Sequence, residues 1–547
     1  MRRVTTLAVA LLASVCAWAQ GQVIRPLDVP MSFAGTYGEL RHDHFHSGVD
    51  WRVGGKVGDE IHAIKPGYVS RVTVSPWGYG NGLYITHPDG TTSVYGHMLG
   101  FCDAIAERVE EAQYERESFN VDLRFGPDEF PVNQGDVVGL VGNTGSSAGP
   151  HLHMEIRDTE KDLSLNYISL GVYQSVDKSA PQFHRVAFYG LDTLPISGSW
   201  RLYDLNNPAN VKDTLRLPRR SYVAIDATDR QEGTGAKLAV EEYRVTLDTT
   251  LLFDFKVGDM PTDKGRYIKS LIEYAESRGG GRDLVKSRVD PNNLLRDRIR
   301  SHDDGLIVLE DDAVHTLRLD AVDEHGNRAT LRYRIRRDDT VQAPERDSSL
   351  TWLPWLWFTQ NSVIDSSLSF YLPAGALYGN INFPYRIVSG PDPSRGILSD
   401  VWQVGSPDIP LQMPGELEIA VHEIPEGLED KVYMASYGRT LGYAGVQVRF
   451  GTYCVALDTV PPTIRFQGNK NGIVSGDTIR IRVGDDASGV ASARVEIDGH
   501  WYLSMLRGNT VSLQLKEERL RRGKHQITIQ VTDNCGNEAY ETRDFTY

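Results

Sequence analysis

Residues 149–155 have the sequence Gly-Pro-His-Leu-His-Met-Glu, and this stretch decides how the first part of the chain folds. Successive side chains of a β-strand point to opposite faces of a sheet. A strand here would place His151 and His153 on one face and Leu152 on the other. The pattern therefore predicts two imidazoles side by side on one surface of a sheet.

Histidine is concentrated around this stretch. Residues 42–153 contain eight of the 15 histidines: His42, His44, His46, His62, His87, His97, His151 and His153. A lone histidine is more often structural than catalytic. A cluster of histidines joined by glycine-rich turns and an aspartate is better explained by a metal site.

Two further motifs accompany the first. His46-Ser-Gly-Val-Asp50 has the spacing of one helix face, but its central glycine and the alternation that follows favour a turn leading into a strand. Tyr95-Gly-His97 closes a strand that starts near Leu83. Each motif alone is weak evidence, because short patterns recur by chance.

Together and in this order, the motifs resemble the lysostaphin-like (LytM-type) zinc peptidases. The spacers match as well: a glycine-rich hairpin at 78–82, Gln-Gly-Asp-Val-Val-Gly at 134–139 and Gly-Asn-Thr-Gly at 142–145. The resemblance covers about residues 30–160. It implies an antiparallel β-sheet peptidase domain with a groove, and none of the family's five site positions is replaced.

The resemblance also implies roles for these five residues. His46, Asp50 and His153 would bind one Zn²⁺ per chain, while His97 and His151 would be catalytic without being ligands. A catalytic zinc takes about three protein ligands and keeps a position for water, whose pKa it lowers toward about 7. One free histidine could accept the water's proton and the other could stabilise the oxyanion. The sequence leaves open which residue takes which role.

The remaining histidines of this stretch lie outside the family pattern. His44 alternates with His46, so it could reach the same face and replace a ligand, although Asp50 completes the family pattern without it. His42, His62 and His87 are interpreted as structural or solvent-facing, and Tyr95 as a residue that packs or positions His97.

The chain is too long for one hydrophobic core, with 547 residues, and its composition is that of a folded protein. Its 58 Lys and Arg against 73 Asp and Glu give a net charge of −15, which argues against general nucleic-acid binding. Asp- and Pro-containing stretches near residues 177, 340 and 458 predict short linkers between β domains.

These linkers divide the chain into predicted domains. They are a signal peptide at 1–19, the LytM-type domain at 20–177, an immunoglobulin-like β-sandwich at 183–340 with an insertion at 264–301, a β-rich domain of unassigned fold at 345–457, and a second immunoglobulin-like β-sandwich at 459–547. The fold class predicted for the whole chain is mainly β.

An internal repeat supports the two sandwiches. Asp323-Glu-His-Gly-Asn327 matches Asp533-Asn-Cys-Gly-Asn537, and each lies between alternating stretches typical of strands, such as 316–320. The Asp-rich turns could bind calcium, or they could simply be turns, since Asp, Asn and Gly favour turns. The second interpretation is preferred.

The first residues predict export. Arg2 and Arg3 precede the apolar run 4–15, and Ala17-Trp-Ala19 is a cleavage site before Gln20. The run is too short to span a bilayer, and no later stretch is apolar enough. Cys16 lies in a poor context for lipid attachment. Cys102, Cys454 and Cys535 then remain, and free thiols or at most one bridge are expected.

The chain departs from the family after His97, where it inserts residues 100–130. Within the insertion, Ile105, Val109 and Ala112 have helical spacing with charge opposite. This amphipathic helix could shape the mouth of the site, or it could pack far from it. Both interpretations stay open.

The preferred function is an exported zinc metalloendopeptidase of the periplasm, cell envelope or exterior that hydrolyses peptides of bacterial peptidoglycan. The alternative is a non-catalytic wall-binding protein or an activator of another hydrolase. The β-sandwiches could also bind envelope proteins and dominate the biology, but their residues identify no ligand.

Overall fold

The computed structural model describes residues 23–166, 178–191, 198–230, 237–281, 283–421, 423–468 and 477–547. The predicted signal peptide and Cys16 lie outside these ranges. Within them, the chain is built almost wholly of antiparallel strands. Residues Leu215–Leu217 (β15) and Arg328–Arg337 (β25) pair in parallel instead. The predicted fold class, mainly antiparallel β, is confirmed.

The first region, residues 23–166, contains one helix, α1 (Asp103–Glu115), and twelve strands within the described residues. The strands are β1 Phe33–Gly35, β2 Val49–Arg52, β3 Glu60–His62, β4 Gly67–Val74, β5 Asn81–Thr86, β6 Thr91–Gly96, β7 Gly100–Phe101, β8 Val121–Arg124, β9 Pro131–Val132, β10 Val137–Leu140, β11 His151–Asp158 and β12 Leu163–Ser164.

The main sheet of this region has the order β1-β2-β11-β6-β5-β4-β8, and a small sheet β3-β10-β7 packs beside it. One face of the main sheet is apolar because alternate residues of each strand are large and hydrophobic. Trp51 of β2 and Leu152 of β11 are fully buried in this core. The opposite face of the same two strands carries Asp50 and His153, so the core fixes which side chains reach that face.

Two further sheets follow, and they enclose one core with contributions from both. Their strands are β13 Gln182–Leu191, β14 Ser199–Leu205, β15 Leu215–Leu217, β16 Arg220–Arg230, β17 Lys237–Leu238, β18 Glu242–Leu247, β19 Thr250–Lys256, β21 Val285–Lys286, β22 Ile299–Ser301, β23 Ile307–Val308, β24 His315–Val322 and β25 Arg328–Arg337, with helices α2 Ile268–Leu271 and α3 Tyr274–Arg278. One strand of this part of the chain, β20 Met260–Pro261, belongs instead to the main sheet of the first region.

The last two pairs of sheets have the same construction, each with a core of its own. Their strands are β26 Thr351–Trp355, β27 Asn361–Asp365, β28 Leu368–Leu372, β29 Ile381–Ser389, β30 Val401–Val404, β31 Gly415–Ile419, β32 Val432–Ser436, β33 Gly442–Tyr443, β34 Gln447–Val448, β35 Gly451–Leu457, β36 Thr463–Gln467, β37 Thr478–Gly484, β38 Val490–Ile497, β39 His500–Trp501, β40 Met505–Arg507, β41 Thr510–Gln514, β42 Lys524–Asp533 and β43 Glu538–Thr546.

The repeated turns serve the same purpose in both places. The Asp323 carboxylate accepts hydrogen bonds from the backbone N–H groups of His325 and Asn327, and Asp533 accepts them from Cys535 and Asn537. These bonds close the turn between two long strands. These bonds agree with the preferred interpretation of the motifs as turns, and the domain boundaries and the immunoglobulin-like assignment stay predictions.

Two aromatic residues of the first region pack into the hydrophobic core of the second region. Tyr37 and Phe45 pack into the core of the second region, where the ring of Phe45 lies 6.1 Å from that of Phe255. The Tyr37 hydroxyl donates to the Ser164 carbonyl, and β12 pairs with β20. Two predicted domains therefore share a core and a strand pairing.

Helix α1 lies between the first region and residues 494–519. Ile105, Val109 and Ala112 are buried as the spacing predicted. On the other side, Glu110 binds Lys516 and Arg519, and the Tyr114 ring lies 5.2 Å from that of Trp501. No residue of 100–130 lines the groove described below, so the structure favours a packing role over shaping of the groove.

The three cysteines at 102, 454 and 535 are unpaired, as predicted. Among the described residues, no helix combines the length and the apolarity needed to cross a bilayer.

We expect Tyr114→Ala to loosen the contact between α1 and residues 494–519. The change removes aromatic pairs with Trp501 and Tyr502 and the Arg519 guanidinium 4.3 Å from the ring centre, together worth about 1–3 kcal/mol. Hydrogen exchange should become faster in 103–115 and 500–516.

Tyr540→Ala is the matched control, because this exposed tyrosine contacts only its own sheet. Unchanged exchange in the Tyr114 variant would show that the contact is not stabilising in solution.

Candidate metal centre

Three side chains from two adjoining strands and the preceding turn converge at one point. His46 Nε2 lies 3.0 Å from Asp50 Oδ1 and 3.0 Å from His153 Nδ1, and Asp50 Oδ1 lies 2.9 Å from His153 Nδ1. All three residues are buried. Two imidazole nitrogens and one carboxylate oxygen at these separations can act together as ligands of one divalent ion.

The register of β2 against β11 creates this convergence. Asp50 pairs directly with His153, so their side chains leave the same face of the sheet. Gly48 lets the preceding turn approach β11, because a Cβ at this position would lie 2.3 Å from the Met154 carbonyl oxygen. His46 is thereby brought to the same face, and its Nδ1 lies 2.8 Å from the Thr36 carbonyl. If Nδ1 carries the proton, Nε2 offers its lone pair to the cluster.

A buried carboxylate orients the third member of the cluster. Glu155 Oε1 lies 2.8 Å from His153 Nε2, on the side of the ring away from Asp50. This contact holds the ring with Nδ1 toward the cluster, as partners of metal-binding histidines commonly do. Glu155 also accepts hydrogen bonds from Ser47 and Tyr79, and Arg157 Nε donates to its Oε2 at 2.7 Å.

The electrostatics of the cluster favour a cation. Burial alone would raise the pKa of Asp50, but the surrounding histidines hold it well below its usual range. Burial would likewise raise the pKa of Glu155, and Arg157 and His153 hold it low instead. Both carboxylates are therefore ionised at neutral pH. Arg157 pairs with Glu155, whereas Asp50 Oδ1 lies against the imidazoles and its Oδ2 lies 3.5 Å from Arg41.

His97 and His151 lie beside the three residues, and His151 Nε2 approaches Asp50 Oδ1 to 3.4 Å. Their ring centres are 4.8 Å apart. His97 Nδ1 lies 2.9 Å from the Thr144 carbonyl and His151 Nδ1 lies 2.8 Å from the Gly149 carbonyl. Donation from Nδ1 leaves Nε2 of each ring able to accept a proton. Burial, together with His153 and His151, lowers the pKa of His97 to about 4, so its ring is neutral at neutral pH.

Two glycine-rich turns support His97. Gly80 and Gly145 both have positive φ, and a Cβ on Gly145 would lie 2.2 Å from the Gly80 nitrogen. Only residues without a side chain fit this contact. The contact brings the turn at 142–145 against the hairpin at 78–82, and the same turn supplies the Thr144 carbonyl that holds His97.

The other histidines of the cluster have separate partners. His44 is exposed, and its Nδ1 lies 2.7 Å from the Asp43 carboxylate, so the structure does not bring His44 to the metal-type group, the three residues His46, Asp50 and His153. His87 lies between the Pro66 carbonyl and Ser93. Tyr95 is fully buried, and its hydroxyl accepts from the Ile64 N–H, which agrees with a packing role.

The group lies at the floor of an open groove of about 1290 Å³. The turn 146–150, the hairpin around Tyr79 and the end of β2 form its walls. Glu155, Arg157 and Tyr79 were not predicted from the sequence. The period-two rule could have found the first two, because they continue the face of β11 that carries His151 and His153.

Known proteins are similar to parts of the chain. The chain is 30% identical over 112 residues to the DD-carboxypeptidase/endopeptidase Mpg of Neisseria meningitidis serogroup B, over 20% of each chain, and equally to that of Neisseria gonorrhoeae. The chain spans about a fifth of the length of the curated relatives it matches. A Zu5-like domain model matches residues 354–458, within the region where the sequence predicted β structure without a fold.

Solved structures similar to the chain include three peptidases. The catalytic domain of the M23 protein EnpA from Enterococcus faecalis is 27% identical, with 25% of this chain and 88% of that one covered and a TM-score of 0.19. The catalytic domain of lysostaphin from Staphylococcus simulans is 23% identical, with 23% of this chain and 80% of that one covered and a TM-score of 0.18. A zinc-containing peptidase from Vibrio cholerae is 18% identical, with 28% of this chain and 41% of that one covered and a TM-score of 0.19.

We expect Glu155→Gln to destabilise the first region and weaken metal binding. The change removes the closer charged partner of the half-buried Arg157 guanidinium and leaves Asp162 at 3.4 Å, which should cost about 1–3 kcal/mol. It also replaces the carboxylate that orients His153 with a neutral, weaker acceptor, which should lower metal affinity about 10–100-fold. Thermal unfolding of the metal-free protein and a zinc titration would measure the two effects separately.

Glu129→Gln is the control, because Glu129 is exposed and remote from the cluster. Wild-type affinity in Glu155→Gln would show that His153 does not need this partner.

Proposed function

We propose that residues 30–160 form a domain of the lysostaphin-like (LytM-type, M23) peptidase family, and that the protein is an exported zinc endopeptidase that hydrolyses peptide bonds of bacterial peptidoglycan. The single observation that carries the proposal is the convergence of His46 Nε2, Asp50 Oδ1 and His153 Nδ1 within 3.0 Å of one another. The relatives support the substrate, and the signal-peptide pattern at residues 1–19 supports export.

The residues present fit one zinc ion. Two imidazoles and one carboxylate are a common catalytic zinc set, and it leaves a coordination position for solvent. When bound, zinc supplies a Lewis acid that polarises the scissile carbonyl and acidifies a water molecule. His46, Asp50 and His153 would hold the ion, and Glu155 and the Thr36 carbonyl would fix the two rings.

His97 and His151 would manage the proton and the developing negative charge. Each ring lines the groove and has Nδ1 directed at a carbonyl, and Nε2 of His151 lies 3.4 Å from Asp50 Oδ1, beside the proposed ligands. The lowered pKa of His97 keeps its ring unprotonated at neutral pH, so the ring can accept a proton, as a weaker base than an ordinary imidazole. A protonated ring at either position would stabilise an oxyanion, and the two assignments stay open.

The alternative is a protein that binds the wall, or activates another hydrolase, without cutting. The arrangement of His97 and His151 argues for hydrolysis, because a binding protein has no use for two further imidazoles beside a complete ligand set. Envelope partners for the later β regions stay a prediction.

We expect the purified protein to hold about one zinc per chain and to release stem peptides from peptidoglycan. Asp50→Ala should lose both properties. His97→Ala should keep zinc but lose about 10²–10⁴-fold in rate, since it removes a general acid or base. Metal analysis and mass spectrometry of the digested wall would measure the two properties.

His42→Ala is the matched control, because this exposed histidine pairs only with Asp43. A wild-type protein with full zinc and no released peptide would favour the wall-binding alternative. Absence of zinc in the wild type would contradict the proposal.

A further inference from the structure

The last residue of β2, Arg52, lies on the face of the sheet that carries the metal-type group. Arg52 is two residues beyond Asp50 and pairs directly with His151 across the β2–β11 ladder. Directly opposed residues of an antiparallel pair have Cβ atoms about 4.5–5.5 Å apart on one face. Arg52 therefore continues the row formed by Asp50 and the two histidines of β11.

Arg52 is an exposed arginine whose charge has no partner. Its Nε donates to the Phe33 carbonyl at 2.7 Å, and no carboxylate of the described residues lies within ion-pair distance of the guanidinium. The other arginine of the groove, Arg41, is different, because it pairs with Glu39 at 3.0 Å and with Asp50 at 3.5 Å. Among the described groove residues, Arg52 is thus the free cation.

The bond to Phe33 also orients the side chain. With Nε occupied, the two terminal nitrogens remain as a planar fork of N–H donors at the groove. Such a fork matches the two oxygens of a carboxylate in spacing and charge. We propose that Arg52 forms a carboxylate-binding subsite, through which the enzyme selects peptides that carry a free carboxylate near the bond it cuts.

The distance along the strand locates that carboxylate. An extended chain advances about 3.3 Å per residue, so Arg52 lies about two residues beyond Asp50. Consider a peptide that lies along the groove with its scissile carbonyl at the metal-type group. Its carboxylate would reach Arg52 if it belonged to a residue one or two positions from the scissile bond. This inference rests on the proposed peptidase function and makes it more specific.

Two sources of this carboxylate exist in a wall peptide. One is the C-terminal carboxylate, which a nearby cut would release with one or two residues. The other is the free carboxylate of a glutamate within the stem. The chemistry that Arg52 recognises is the same in both cases, so the experiment must separate them.

The test uses four acetylated stem pentapeptides in which the terminal carboxylate and the glutamate carboxylate are independently free or amidated. The wild-type zinc protein should cleave one free form about 10–100-fold more efficiently than its amide, the range expected for hydrogen bonds between charged groups. Arg52→Gln should abolish this preference through a higher KM for the free form, and Arg52→Lys should restore part of it.

Arg124→Gln serves as the matched control, since Arg124 is an exposed strand arginine of the same sheet outside the groove. Binding of the four peptides to the zinc-loaded His97→Ala protein, with and without Arg52→Gln, gives a second readout that needs no catalysis.

Equal cleavage and binding of free and amidated peptides by proteins with Arg52 would overturn the subsite, as would a preference that survives Arg52→Gln. Carboxylate-dependent binding that disappears with Arg52→Gln, without any hydrolysis by the wild type, would overturn the proposed peptidase function and leave the subsite intact.

Discussion

The candidate site depends on one strand pairing, Asp50 of β2 opposite His153 of β11. The pairing is fixed from the other side of the sheet, where Trp51 and Leu152 are fully buried. A shift of one residue would turn these two apolar side chains into the groove and the site residues into the core. The packing of the apolar face therefore determines which side chains reach the groove face. Gly48 allows the turn that carries His46 to approach β11, so that His46 reaches the same face.

The same arrangement places several charges out of water, and each is compensated. Asp50 is surrounded by imidazoles, and Glu155 is bonded by His153, Tyr79 and Arg157. A buried charge without a partner would cost several kcal/mol. The network behind His153 thus gives the ring one orientation, which a ligand to a metal requires.

The sequence predicted much of this site because its signals are local. Period-two alternation is enough to put His151 and His153 on one face, and the alternating stretch at 316–320 lies in strand β24. Glu155 and Arg157 were missed although they obey the same period, because neither belongs to the motifs considered. The contacts of Tyr79 and Thr36 join distant parts of the chain, and no local pattern encodes them.

Relations between regions were the least predictable part. The spacing of Ile105, Val109 and Ala112 identified a helix, but its outer face meets Trp501 and Arg519, which lie almost 400 positions later. The proline-containing linkers suggested that the domains fold with separate cores. Tyr37 and Phe45 instead contribute to the core of the following region, and composition alone does not reveal such sharing.

This sharing has a consequence for the order of biosynthesis. His46 directly follows Phe45, whose ring packs on Phe255, and β12 needs β20 as its neighbour. Ribosomes make chains from the N-terminus at about 5–20 residues per second, so the residues around 250–260 emerge many seconds after the ligands themselves. The nascent first region therefore lacks the partners of Phe45 and β12 until that downstream stretch has been synthesised.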